Sequence, residues 1–129
     1  MTSKVAIKTS DAPSPIGPYS QAIKIGNTVY LSGQIPVDPK SGKLIDGTIT
    51  EKAQQVFKNL QAVANASGGT LNDIVKLTIF ITDFGIFSDV NSVMATFFKE
   101  PFPARSTVAV KALPLNVPLE VEGIMVVNQ

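Results

Sequence analysis

TITEKAQQVFKNLQAVANASGGTLNDIVKLTIFIT, residues 48–82, joins a helix-period pattern to a strand-period pattern, and that junction sets the fold class. Ala53, Val56, Phe57, Leu60, Val63 and Ala64 recur at the i, i+3, i+4, i+7 spacing of one helix face. Thr48 and Glu51 stand at capping-box distance, and Gly68-Gly69 supplies a stop. Residues 74–82 are β-rich. Strict alternation there puts Val75, Leu77, Ile79 and Ile81 on one face, with Ile74, Phe80 and three polar residues on the other.

Upstream, two apolar runs flank Gly26-Asn27, a two-residue hairpin signal that sets Ile23 opposite Tyr30 and Gln21 opposite Ser32. Residues 32–36 are then expected to leave the sheet. Asp38-Pro39-Lys40-Ser41-Gly42 reads as a surface turn, and prolines 13, 15 and 18 make residues 11–18 an extended loop. Downstream, Phe87, Val90, Met94, Phe97 and Phe98 mark a second helix, which Pro101 and Pro103 close. Strands are expected over 104–111 and 119–127.

The order hairpin, helix, strand, helix, two strands describes an α+β sandwich, a single domain over residues 1–129. Two helices can cover only one face of such a sheet. Ile74, Phe80, Ile124 and Val126 then put apolar groups on the other face, which predicts a homo-oligomer.

Composition excludes several kinds of chemistry. The 129 residues include no cysteine, hence no disulfide, no thiolate ligand and no thiol nucleophile. They also include no histidine, the commonest general base and zinc ligand. No clustered acidic pattern suggests a magnesium site, and neither a P-loop nor a dinucleotide fingerprint is present, so no metal or cofactor is expected. A net charge of +1 provides no electrostatic footprint for nucleic acid. No leader and no run of about 20 apolar residues is visible, which predicts no membrane association and a cytoplasmic location.

Arg105 is the single arginine and falls inside a predicted strand, sharing a face with Thr107 and Ala109. Its guanidinium fork matches a carboxylate bidentately, and an ion pair with a structural carboxylate is the plainer alternative. Glu120 and Glu122 share a face of the last strand, where partial burial would raise a carboxyl pKa and suit a general base. Solvated strand carboxylates are the competing reading. Tyr19 and Ser32 are candidate ligand-orienting groups, or an edge aromatic and a turn serine. Ser32 lacks any histidine to activate it as a nucleophile. Asn91 reads either as a ligand group or as a buried amide satisfied by backbone.

Taken in order, Ile16-Gly17-Pro18-Tyr19-Ser20-Gln21, Ser32-Gly33-Gln34-Ile35-Pro36, Asp73-Ile74-Val75-Lys76, Asp89-Val90-Asn91, Phe102-Pro103-Ala104-Arg105-Ser106 and Leu119-Glu120-Val121-Glu122 resemble the RidA (YjgF) family of enamine/imine deaminases. The resemblance covers almost the whole chain. It implies a chorismate-mutase-like α+β fold, a mixed sheet with two helices on one face, assembled as a homotrimer with sites between subunits. It also implies hydrolysis of 2-iminobutanoate and 2-iminopropanoate to 2-keto acids and ammonia, without metal or cofactor. Arg105 is implied to hold the substrate carboxylate and Glu120 to position water. Tyr19, Ser32, Gly33 and Asn91 match positions lining the pocket. Thr107 stands where the family often has cysteine, and the connection before Phe102 is shorter than in many members. Other roles tied to such proteins are RNA cleavage or translation inhibition, and ligand binding or holdase activity without turnover.

Overall fold

The computed structural model describes residues 3–128. A short edge strand, β1 (Val5–Ile7), opens the sheet and pairs antiparallel with β2 (Ala22–Ile25). Its three residues are too few to show a period, so the sequence pattern does not reveal it. Gly26, at φ +59°, turns β2 back on β3 (Thr28–Gln34), a conformation glycine adopts without Cβ crowding. Ile23 pairs with Tyr30, and the Ser32 amide donates to the Gln21 carbonyl at 3.0 Å. Ser32, Gly33 and Gln34 do not leave the sheet as expected. They stay in β3, where Gln34 pairs with Val121 of the last strand beyond a bulge that follows Leu31.

Helix α1 (Ile49–Ala66) starts on the expected capping box: the Glu51 amide donates to Thr48 Oγ1 at 3.1 Å and the Thr48 amide to Glu51 Oε1 at 2.9 Å. Its buried face is the predicted one with Asn59 added. Asn59 Nδ2 donates to the Ile35 and Val37 carbonyls at 3.3 and 2.9 Å, which anchors the loop after β3 to the helix.

β4 (Ile74–Ile81), α2 (Phe87–Phe97), β5 (Ala104–Ala109) and β6 (Leu119–Val126) complete the chain, in the order β1-β2-β3-β6-β4-β5 across a six-stranded sheet. Among the described strands only β4 and β5 run parallel. The last two strands end slightly earlier than the expected 111 and 127.

One alternation expectation fails. A bulge between Ile74 and Lys76 shifts the pleat by one residue. Ile74 therefore enters the core at 4% exposure, and Val75 is 49% exposed. Both helices pack on one face, over Leu77, Ile79, Ile81, Leu119, Val121 and Met125. Burying each of these side chains contributes about 1.5–3 kcal/mol. Phe57 of α1 packs against Phe97 and Phe98 at ring distances of 5.6 and 5.9 Å, joining the two helices.

Among the described residues no helix covers the opposite face. It carries Tyr30, Val108 and Val126, all exposed, with half-buried Phe80 and Ile124 between them. Among the described residues no helix is long and apolar enough to cross a membrane.

Candidate active site

Arg105 pairs with Leu77 in the β4–β5 register, so it lies on the helix-covered face. Being on the edge strand, it stays exposed and turns toward α2. Nη1 donates to Asn91 Oδ1 at 2.6 Å and to Met94 Sδ at 3.5 Å, while Cζ stands 5.5 Å from the centre of the Phe87 ring. These partners are an amide, a thioether and a ring face. None is a carboxylate, so no structural ion pair is found for Arg105 among the described residues. Asn91 and Phe87 orient the guanidinium and leave its charge uncompensated. Asn91 is exposed rather than a buried amide, one helical turn before Met94 and Ala95. With Phe102 and Pro103 these residues line an open concavity of about 420 Å³.

Glu120 pairs with Phe80 and alternates with fully buried Leu119 and Val121, so its side chain emerges on the helix-free face. It rests on the Gly33 backbone. A Cβ at Gly33 would meet Glu120 Oε2 and come within 2.9 Å of its Cδ. Burial raises the Glu120 pKa above its ordinary value, and the neighbouring Glu122 carboxylate adds to the rise. Tyr19, Ser32, Ile16, Ile35 and Leu115 surround it in a second concavity of about 530 Å³.

The polar groups there have defined donor states. Ser32 Oγ donates to the Ser20 carbonyl at 2.6 Å, so its proton is committed and its lone pairs remain to accept. Tyr19 Oη accepts from the Ile16 amide at 3.3 Å, which leaves its own proton to donate. Gln21 holds the proline-rich loop that carries both Ile16 and Tyr19. Its Nε2 donates to the Thr9, Ala12 and Pro13 carbonyls, and its Oε1 accepts from the Thr9 amide at 2.7 Å.

Of the residues singled out in the sequence, Tyr19, Ser32, Gly33 and Glu120 meet in one cavity, and Arg105 and Asn91 meet in another on the opposite face. Thr107 shares the Arg105 face, but its Oγ1 is buried without a hydrogen-bond partner among the described residues and lines neither cavity. The sequence marks Phe87 only as an apolar residue of the second helix, not as a site residue, and nothing local distinguishes Leu115. Among the described residues no three His, Cys, Asp or Glu side chains cluster as metal ligands.

Two changes follow from this geometry. Gly33→Ala should fold, because the clash falls on a movable carboxylate, yet push Glu120 from its place. A drop of at least about tenfold is expected in any reaction that uses Glu120 from this seat. An unchanged rate in a folded variant would mean that the seat on Gly33 plays no part in it. Thr107→Val replaces an unpartnered buried hydroxyl with a methyl of similar shape, and about 1 kcal/mol of stability is expected in urea unfolding. No gain would mean that the hydroxyl has a partner in solution.

The fold and these cavities define an α+β domain with two concavities of small-molecule size, one cationic and one acidic. Residues 9–127 match the family described as Endoribonuclease L-PSP, and the chain belongs to that family, the RidA (YjgF) family its sequence resembles. A protein of Dermatophagoides farinae named 2-iminobutanoate/2-iminopropanoate deaminase is 51% identical over 128 residues, spanning 99% of this chain and 100% of its own length. The crystal structure of a putative endoribonuclease from Thermotoga maritima superposes with a TM-score of 0.94 at 47% identity, covering 97% of this chain and 98% of that one. E. coli TdcF with bound serine superposes with a TM-score of 0.91 at 40% identity, covering 96% and 99%.

Proposed function

We propose that this protein hydrolyses 2-imino acids, 2-iminobutanoate and 2-iminopropanoate among them, to 2-keto acids and ammonia. One observation carries the reading: a free guanidinium and a carboxyl of raised pKa occupy opposite faces of the sheet, each in its own concavity. Alone, either cavity is half a site. One has a grip for a carboxylate and no base. The other has a base and no cation.

A second copy docked on the exposed apolar face would complete the site, bringing the Arg105 cavity of one subunit against the Glu120 cavity of its neighbour. We assign this arrangement to a homotrimer, in which each subunit serves two sites. Substrate binds with its carboxylate on the Arg105 fork, held by Asn91 and Phe87. The imine nitrogen takes a proton from solvent, and Glu120 takes one from water as the oxygen adds to the imine carbon. Glu120 then passes its proton to the amine nitrogen, the C–N bond of the tetrahedral adduct breaks, ammonia leaves, and the adduct hydroxyl releases its proton to solvent as the keto carbonyl forms. Ser32 accepts from the bound water or nitrogen, and Tyr19 donates to the adduct oxygen. The imine carbon is already electrophilic, so orientation does most of the work, an effect worth up to ~7–11 kcal/mol in favourable cases. The name of the Dermatophagoides relative and the amino acid held by TdcF both support a small carboxylate substrate.

The test is keto-acid formation from 2-iminobutanoate released by threonine dehydratase, with semicarbazide competing for the imine. Wild type should outrun the trap and Arg105→Ala should not. If neither does while both stay folded, turnover is not the function. The family description favours a second reading, cleavage of RNA. A net charge of +1 offers little attraction for a phosphate backbone. RNA cleavage that survives Arg105→Ala would establish that reading instead.

A further inference from the structure

Between β5 and β6 the backbone adopts a conformation that local sequence does not account for. Leu115 has φ 55° and ψ 21°, and Asn116 has φ 61°. Asparagine enters the left-handed region readily, but leucine has no polar group to offset the crowding of its Cβ against the carbonyl. Core burial does not explain it either, since Leu115 is 60% exposed. Its side chain lines the cavity that holds Glu120, on a wall shared with Ile16, itself 80% exposed, and Ile35. Backbone outliers of this kind persist where the surroundings over-determine them, and they collect at ligand clamps. The same cavity carries Glu120 and Glu122, two carboxylates of like sign. An apolar wall accepts an apolar side chain, and a doubly acidic lining repels an acidic one.

We propose that Leu115, together with Ile16, is a specificity-determining residue that selects 2-imino acids with branched apolar side chains over those with a methyl or a carboxylate side chain. The substrates named here rest on the deaminase reading, whereas the selection of side chains does not.

The experiment compares wild type with Leu115→Gly on the imino acids released from leucine, alanine and aspartate by amino-acid oxidases. In parallel, NMR titration measures binding of 4-methyl-2-oxopentanoate and pyruvate. Glycine adopts the left-handed conformation freely, so the variant keeps its fold. Wild type should favour the leucine-derived imino acid over the alanine-derived one by about tenfold or more in kcat/KM, the scale of a few methylene contacts. It should process the aspartate-derived one most slowly. In Leu115→Gly the first ratio should collapse to near unity, with a matching collapse in the ratio of keto-acid Kd values. A ratio unchanged within about twofold, or a wild-type preference for the smallest substrate, overturns the proposal. So does loss of oligomer by Leu115→Gly in light scattering, which would assign Leu115 to a subunit contact. Absence of all turnover by wild type would overturn the deaminase reading alone, and the ratio of Kd values would then decide the selection.

Discussion

Mixed in equal amounts and allowed to exchange subunits, Arg105→Ala and Glu120→Gln proteins should recover about a quarter of the wild-type rate, although each alone is nearly inactive. The expectation follows from the placement of the two side chains. Arg105 turns toward α2 on the covered face, and Glu120 rises over Gly33 on the bare one. If a working site draws its arginine from one subunit and its glutamate from the next, random mixing gives both intact partners to one site in four. Each single variant should lose at least ~10²-fold, since two charge-assisted hydrogen bonds to the substrate, or the base itself, are removed. The measurement is keto-acid formation before and after mild unfolding and joint refolding, with light scattering to follow the assembly. A mixture no more active than its components would place the whole site within one chain or deny one residue its role.

Glu120→Gln alone should separate catalysis from stability. Folding raises the Glu120 pKa, first because burial penalises the charged form and then because Glu122 repels it. The folded protein therefore favours the protonated carboxyl. That stabilising share is complete below the unfolded pKa of about 4.3 and is lost as pH rises through the higher folded value. Glutamine is never ionised, so the variant should unfold at a higher temperature than wild type at neutral pH, with the two converging near pH 4. Activity moves the other way. A general base works only when ionised, so in the role proposed for Glu120 the wild-type rate should fall on acidification at a pH above the ordinary carboxylate range. The variant should lose ~10²–10⁴-fold and show no such limb. Thermal melts and kcat/KM from pH 4 to 8 check both. A variant that keeps its rate, or an acid limb that survives the substitution, would remove Glu120 from the chemistry.

Much of the fold was legible along the chain because it depends on local rules. Thr48 and Glu51 mark the start of α1 through hydrogen bonds three residues apart, and Gly26-Asn27 sets the hairpin register through backbone geometry. The side of the sheet facing the helices followed from a period of two, except where the bulge near Val75 shifted it. A bulge depends on how a strand pairs with its neighbour, and periodicity in one strand does not encode that. Arg105 and Glu120 were likewise visible as residue types whose charge is unusual within apolar strands.

Their separation was not visible. Arg105 falls on the helix side because β5 lies parallel beside β4 at the sheet edge, and Glu120 falls on the bare side because β6 inserts between β3 and β4. Strand order joins residues far apart in sequence, so no local pattern states which faces two strands share. The grip of Asn91 on the guanidinium, the seat of Glu120 on Gly33 and the left-handed turn at Leu115 arise in the same way, from contacts that exist only once distant segments pack. Residue chemistry and local period are written in the chain. The placement of Arg105 and Glu120 on opposite faces is a property of long-range pairing.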